Sequence, residues 1–280
     1  MKFSVALAQL SSSDSPQDNL NHAEDYIKKA VDKDARLVVF PEFYTEGPPV
    51  RENRSTIGKQ AERTARYLDI YKEYALKYAT HLVPGTMVTK EDQSVFNTTF
   101  LIDPNGEILS RYSKINISPL ESCLFTGGNE ISVTRTDIGN IGLAVCFDLF
   151  GPEHIRSLVA KNAELIVCPS FWPDGCSPQG LCHDTRYSKK CLDAMTVTRA
   201  FENGTYFLFC NAPGTFKFRG NTYDLLGNSQ ITAPFIGQVG KLPAKRNGLL
   251  VREVDTKTIT DAKKVYRIDE TIERFRNFKQ

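Results

Sequence analysis

The feature that most constrains this chain is an alternation of short apolar runs with amphipathic stretches, which begins at its first residues. Residues 3–8 and 37–40 have the length and composition of buried strands. Between them, Ser15 can cap a helix and Pro16 suits its first position. The apolar residues of that helix recur at helical spacing: Leu20, Ala23, Ile27 and Ala30. Because the apolar face of this helix has to be buried against a sheet, the sequence predicts a layered α/β fold.

The alternation continues along the chain and includes hairpins. A second helix is predicted where apolar residues recur at Ala61, Ala65, Leu68, Tyr71, Ala75 and Tyr78. Strands are predicted at 82–88, 95–102, 108–112, 131–134, 141–145, 165–168, 205–210, 225–231 and 248–254, and helices from Pro152 and over about 185–202. Because hairpins stand beside βα units, we expect mixed sheets.

The chain shows no internal repeat, low-complexity tract or linker, so the sequence predicts one α/β domain over residues 1–262. Beyond Asp261 the sequence becomes charged and weakly periodic. We predict that residues 263–280 form a C-terminal arm that packs on another element or stays mobile.

Composition argues against several classes of protein. The net charge is +2 and the Lys and Arg residues are scattered, so nucleic acid is not an expected partner. No apolar run reaches the roughly 20 residues of a membrane helix, and the apolar start is too short for a signal peptide. The seven cysteines are odd in number and irregularly spaced, which favours free thiols and a cytoplasmic location.

Three reactive side chains stand at or just beyond the ends of apolar runs: Glu42, Lys114 and Cys146. Loops at the ends of sheet strands are where function is usually placed. Taken singly, each has an ordinary structural explanation, as a loop carboxylate, an edge-strand lysine and a small buried residue. Only the set of three favours a catalytic site.

The set resembles the nitrilase, or carbon–nitrogen hydrolase, superfamily in order, spacing and flanking residues. The motifs that carry the resemblance are Phe40-Pro41-Glu42, Arg111-Tyr112-Ser113-Lys114, and Cys146-Phe147-Asp148 running on to Pro152-Glu153. Glu121 matches a second glutamate that the family places beside its lysine and cysteine. The resemblance extends to about residue 255 and implies a four-layer αββα sandwich that pairs into a homodimer or a larger homo-oligomer. The C-terminal arm suits such a subunit interface.

The chemistry of these residue types fits hydrolysis of an amide-like small molecule. A cysteine thiol with a pKa of about 8.5 needs a base or a cation to become a nucleophile at neutral pH. Glu42 is the predicted general base, and Cys146 forms a thioester. Lys114 and the backbone N–H of Phe147 would hold the oxyanion, while Glu121 orients Lys114. This mechanism needs no metal and no organic cofactor.

The flanking residues bear on the choice of substrate. Asp148 resembles the amidase and carbamoylase branches of the family, whereas nitrile-hydrolysing members tend to have Glu there. Asn116 stands where the family often has His, and Phe150 stands where it often has Arg or Trp. Because that Arg is missing as a partner for a substrate carboxylate, an acidic substrate is not expected. Trp172 is expected to line the substrate pocket or to lie at a subunit contact, since large aromatic residues are enriched at interfaces. The segment from this residue to the next helix is longer than usual in the family.

Four alternatives stay open at this point. Nitrile hydrolysis could use the same site, and a catalytically silent scaffold could keep the same fold. A Cys/His dyad would need one of the four histidines, which are His22, His81, His154 and His183. A metal site built from Cys176, Cys182, His183 and Cys191 lacks the Cys-x-x-Cys pairs of structural zinc sites.

Overall fold

The computed structural model describes residues 1–49, 54–175, 177–218 and 220–277. The first half contains β1 (Lys2–Gln9), α1 (Pro16–Val31), β2 (Ala35–Val39), α2 (Arg54–Tyr78), β3 (His81–Val83), β4 (Thr86–Glu91), β5 (Ser94–Ile102), β6 (Ile108–Ser113), β7 (Val133–Thr136) and β8 (Gly139–Leu143). The second half contains α3 (Pro152–Ala160), β9 (Leu165–Ser170), α4 (Pro178–His183), α5 (Tyr187–Asn203), β10 (Tyr206–Asn211), β11 (Pro213–Phe218), β12 (Asn221–Leu226), β13 (Gln230–Ala233), β14 (Gly237–Lys241), β15 (Gly248–Asp255), α6 (Thr256–Tyr266) and α7 (Ile268–Asn277).

Thirteen of the fifteen described strands form two large mixed sheets, and β11 and β12 pair in a separate two-stranded sheet. The first has the order β15-β1-β2-β3-β5-β4, with β6 paired to β5, and the second has the order β14-β13-β10-β9-β8-β7. Parallel pairs lie at the centre of each sheet, namely β1 with β2 and β2 with β3 in the first, and β8 with β9 and β9 with β10 in the second. Antiparallel strands flank them, which confirms the prediction of mixed sheets.

The alternation of side chains along β1 shows how the layers stack. Phe3, Val5 and Leu7 lie in the core that the two sheets share. Ala6 and Ala8 point to the opposite face and pack in the cluster that includes residues of α1 and α2. On the far side of the second sheet, α5 packs on β10 and β13, and α3 packs on β8. The order helix, sheet, sheet, helix confirms the predicted αββα sandwich.

The predicted strand over 82–88 is divided in two at Gly85. This glycine has φ 81°, and a Cβ atom there would lie 1.9 Å from the carbonyl oxygen of Pro41. Only glycine tolerates both the positive φ and so close a backbone contact. The interruption therefore brings the β3–β4 turn against the residue that precedes Glu42.

The described part of the C-terminal segment packs on other elements, which is one of the two outcomes expected for residues 263–280. Helix α6 runs through residue 262, and α7 follows after Arg267, so the described part of 263–280 is helical. Ile268 and Ile272 are buried in the core shared by the two sheets and their covering helices. Charged residues on the solvent face of these helices hid the periodicity in the sequence. The predicted role of this segment at a subunit interface stays a prediction.

None of the helices in the described ranges is long and apolar enough to cross a membrane.

Candidate active site

Glu42 lies just beyond the end of β2, in the turn that follows Pro41. The turn is held in place by the backbone N–H of Phe43, which has φ 56° and donates to Thr86 Oγ1 at 3.1 Å. The Glu42 side chain is 1% exposed. A carboxylate buried to this extent needs polar partners, since an unpaired buried charge is strongly destabilising.

Cys146 begins a short 3₁₀ turn, Cys146–Phe150, after the second sheet's strand β8. Its φ is 46°, an uncommon conformation for a residue other than glycine. Such backbone strain persists where the surroundings fix it, and it is common at functional sites. The turn points Cys146 into a cavity while leaving it almost completely buried.

Asp148 joins the Cys146 turn to the segment that contains Lys114. Its buried carboxylate accepts hydrogen bonds from the backbone N–H of Val145 at 2.9 Å and from the hydroxyl of Tyr112 at 2.7 Å. It also accepts from the backbone N–H and the side-chain amide of Asn116, at 2.9 and 2.8 Å. Asn116, which departs from the pattern expected from the resemblance, therefore donates to Asp148, the same carboxylate that orders the turn at Cys146.

Lys114 directly follows β6 and is completely buried. Its ammonium donates to Glu42 Oε1 at 3.0 Å and to Glu121 Oε2 at 2.6 Å. Glu121 Oε2 also accepts from the hydroxyl and the backbone N–H of Ser118, at 2.6 and 3.3 Å. The structure thus brings Glu42, Lys114 and Glu121 into one buried chain of charges.

Asn97 is a site residue that the sequence analysis missed. It lies on β5, is fully buried, and donates from Nδ2 to Glu42 Oε1 at 2.7 Å and to Glu121 Oε1 at 3.2 Å. Its backbone carbonyl also accepts from the N–H of Lys114 at 2.8 Å. An asparagine within a strand gives no signal in the sequence, because its role depends on three segments that meet only in the folded chain.

Burial and charge push the pKa values of the two glutamates in opposite directions. Burial raises the pKa of Glu42, although Lys114 and a hydrogen bond with Cys146 act against the rise. Burial also acts to raise the pKa of Glu121, but Lys114 and Ser118 outweigh it and hold that pKa below its usual value. One carboxylate is therefore suited to exchange a proton, and the other to remain ionised.

Lys114 and Cys146 complete this electrostatic arrangement. Burial acts to lower the pKa of Lys114, but Glu42, Cys146 and Glu121 together raise it well above its usual value, so the ammonium persists. Burial and Glu42 raise the pKa of the Cys146 thiol, and Lys114 acts against them. At rest the cysteine is therefore a thiol, and it needs a base to remove its proton.

The cavity beside Cys146 has a volume of about 480 Å³, within the usual range for a small-molecule site. Its lining includes Glu42, Glu121 and Cys146 together with Phe147, Phe150 and Trp172. The segment after β9 also covers it, through Ser177, Pro178 and Gln179 at the start of α4. Cys146, the two carboxylates and the aromatic rings thus surround one space.

Phe147, Phe150 and Trp172 form an aromatic stack on one wall of this cavity. The ring centroids of Phe147 and Phe150 are 5.0 Å apart, and those of Phe150 and Trp172 are 5.6 Å apart with planes 7° from parallel. Trp172 is held by its backbone N–H, which donates to Asn211 Oδ1 at 2.7 Å. Of the two locations expected for Trp172, the structure places it in the pocket wall.

The cavity lining contains no histidine among the residues that the structure describes. His154 instead lies beside Tyr112 and Asp148, where burial lowers its pKa. His81 contacts Asp137. The structure therefore gives no support to a Cys/His dyad.

Within the described ranges, no group of three or more His, Cys, Asp or Glu side chains is arranged to hold a metal ion. Cys176, one member of the metal set considered from the sequence, lies outside the described residues.

In this αββα sandwich a buried acid and a thiol share one cavity, and a buried lysine donates to the acid. This arrangement is typical of a thiol hydrolase. The model of the carbon–nitrogen hydrolase family matches residues 4–264, and the chain belongs to this family. Within it, the chain is a hydrolase of carbon–nitrogen bonds.

Known proteins similar to the chain include amidases. A deaminated glutathione amidase from Dictyostelium discoideum is 26% identical over 267 residues, which cover 90% of this chain and 87% of that protein. A 2-oxoglutaramate amidase from Bacillus subtilis (strain 168) is 27% identical over 259 residues, 91% of this chain and 92% of that protein. The fold is shared with a solved carbon–nitrogen hydrolase from Helicobacter pylori G27, with a TM-score of 0.87, 18% identity, and coverage of 96% and 94% of the two chains.

Proposed function

We propose that the chain hydrolyses a small amide through a thioester on Cys146, with Glu42 as general base, Lys114 as oxyanion stabiliser and Glu121 as the group that orients Lys114. The observation that carries this assignment is the position of the Lys114 ammonium between the buried carboxylate of Glu42 and the partly exposed carboxylate of Glu121, whose pKa values shift in opposite directions. An ionised lysine supports an anionic transition state, and the glutamate with the raised pKa exchanges the proton.

The first half of the reaction forms the thioester. Glu42 removes the thiol proton of Cys146 as the sulfur attacks the amide carbonyl carbon. The negative charge that develops on the carbonyl oxygen is held by Lys114 and by the backbone N–H of Phe147. When the tetrahedral intermediate collapses, Glu42 returns the proton to the leaving nitrogen, and ammonia or an amine departs.

The second half releases the acid. Glu42 removes a proton from water, whose oxygen attacks the thioester carbonyl carbon. The intermediate collapses with cleavage of the carbon–sulfur bond, and the Cys146 thiol regains its proton. Lys114 serves both oxyanions, since the two tetrahedral intermediates carry their charge at the same place.

An amide is the favoured substrate, with N-carbamoyl compounds next and nitriles as the second candidate function. The similar proteins named as amidases support amides, and Asp148, which resembles the amidase and carbamoylase branches, favours amides and N-carbamoyl compounds over nitriles. A nitrile would use the same nucleophile, so the two activities have to be compared directly in one preparation.

The test measures ammonia release from short amides, ω-amides, N-carbamoyl amino acids and nitriles, together with the intact mass of the protein. We expect ammonia from amides and a mass increase on Cys146 equal to the acyl group, both lost in Cys146→Ala. Cys191→Ala is the matched control, since Cys191 also lines the cavity but lies on α5. A silent scaffold would show neither ammonia nor adduct, and full activity of Cys146→Ala would refute the nucleophile.

We also propose a homodimer or larger homo-oligomer in a reducing compartment such as the cytoplasm. Phe201, Phe235 and Tyr266 support association, because their exposed rings contact one another, with centroids 5.2 and 5.6 Å apart. Among the described residues, Cys146, Cys168, Cys182, Cys191 and Cys210 are free thiols, which suits a reducing compartment. Light scattering of the wild type and of Tyr266→Asp tests the assembly, and a monomeric wild type would refute it.

A further inference from the structure

A second set of aromatic rings also lines the cavity. Phe43 stacks on Phe125, with ring centroids 5.9 Å apart, and meets Phe171 edge to face at 6.2 Å. Phe171 in turn meets Phe216 at 4.9 Å. All four of these residues line the cavity. A bound acyl group would therefore share the cavity with both sets of rings.

The charged groups that line the cavity among the described residues are negative. Among the lining residues that the structure describes, only Glu42 and Glu121 are ionisable carboxylates, and no lysine, arginine or histidine is present. The buried ammonium of Lys114 is already shared between these two glutamates. A carboxylate on the acyl group would be desolvated without a counter-ion and close to like charge, which is unfavourable on both counts.

We propose that the acyl group of the substrate is apolar and lacks a carboxylate, as in an arylalkyl or medium-chain alkyl amide. A cavity of about 150 Å³ accepts benzene, so the volume of about 480 Å³ leaves room for a phenyl ring, a short linker and the reacting amide. Offset stacking against Phe150 and Trp172 favours a planar group in that space. This inference rests on the proposed function, because it concerns the substrate of the same site.

The first experiment compares kcat/KM for phenylacetamide, hexanamide and glutaramate by ammonia release. Hexanamide and glutaramate have similar length and differ at the end remote from the amide, which is methyl in one and carboxylate in the other. We expect kcat/KM for glutaramate to be about 100-fold lower, which corresponds to about 2.8 kcal/mol at 1.4 kcal/mol per factor of ten. Equal or faster hydrolysis of glutaramate would overturn the inference while leaving the proposed hydrolysis intact.

A second experiment measures binding without turnover. Trp172 is the only tryptophan in the sequence and lies in the aromatic stack, so its fluorescence reports occupancy of the cavity. In Cys146→Ala, phenylacetamide and hexanamide should change this fluorescence at concentrations at which glutaramate does not. If no amide is hydrolysed but this order of binding holds, the proposed function fails and the inference about ligand class stands. Preferential binding of glutaramate would refute the inference.

A third experiment places a cation in the aromatic stack. Phe150 is 49% exposed, so Phe150→Arg can be accommodated without burying the new charge completely. We expect this variant to raise kcat/KM for glutaramate relative to hexanamide at least about tenfold, or 1.4 kcal/mol. Ile108→Arg is the matched control, because Ile108 is 41% exposed and does not line the cavity. An equal change of the ratio in both variants would contradict the role of the cavity wall.

Discussion

Replacement of Asn97 by alanine tests the electrostatic arrangement of the site at its least obvious point. The amide of this residue donates to Glu42 Oε1 at 2.7 Å and to Glu121 Oε1 at 3.2 Å. Both bonds favour the ionised carboxylates, because a donor stabilises the charged form of an acceptor. Without the amide, the pKa of Glu42, already raised by burial, should rise further.

The size of the shift follows from the bond that is lost. A hydrogen bond to a charged group contributes about 1.5–3 kcal/mol, and one pKa unit corresponds to 1.36 kcal/mol. Because Glu42 and Asn97 are both buried, solvent provides little compensation, and we expect a rise of about one to two pKa units. Glu42 must be ionised to act as a base, so the acidic limb of the kcat/KM profile should move to higher pH by the same amount.

The assay is ammonia release from a preferred amide as a function of pH, since kcat/KM reports the pKa values of the free enzyme. Asn203→Ala is the matched control, because Asn203 is also fully buried and also donates to a carboxylate, that of Glu202. The control should lose stability without moving the acidic limb. If the limb of Asn97→Ala stays at its wild-type position, Asn97 does not tune Glu42 and our account of the base is wrong.

Three further predictions concern the same site. Glu42→Gln should lower kcat about 1000-fold, because the general base is lost. Burial raises the folded-state pKa of Glu42, so the stability of the wild type falls as pH rises from the unfolded-state pKa to the folded-state pKa of this residue. Thermal melts should therefore show the melting temperature of the variant gaining on that of the wild type across this pH window. Asp148→Asn should lower the free energy of unfolding, measured in urea, by about 3 kcal/mol. The reason is that an amide oxygen can accept from only two of the four donors that contact this carboxylate. A change below about 1 kcal/mol would contradict the role of Asp148 in ordering the turn. Dialysis against a chelator should leave kcat unchanged, and a loss restored by one metal would refute the proposed mechanism.

The sequence by itself determined the layered architecture and the three strand-end residues. Strand and helix periodicity are local properties of side chains, so the apolar residues of β1 and α1 show which face each element buries before any contact is known. The spacing of Glu42, Lys114 and Cys146 was visible for the same reason, because each residue follows a recognisable apolar run.

The C-terminal helices show where local pattern was insufficient. Charged residues dominate α6 and α7, and only a few apolar side chains, among them Ile268 and Ile272, anchor them. Their burial depends on a surface that other elements create, so the sequence of the segment suggested an arm. Gly85 is similar, since its constraint is the carbonyl of Pro41, a residue far away along the chain.

What only the tertiary structure decided is the environment of the reactive groups. Glu42 and Glu121 are the same residue type, yet their pKa values move in opposite directions because burial dominates at one, while Lys114 and Ser118 dominate at the other. The contacts of Asn97 and the aromatic lining of the cavity likewise form only where separate segments of the chain meet. Desolvation and charge interactions act through space, so the sequence supplies the groups, and the fold sets their protonation and the ligand that the cavity accepts.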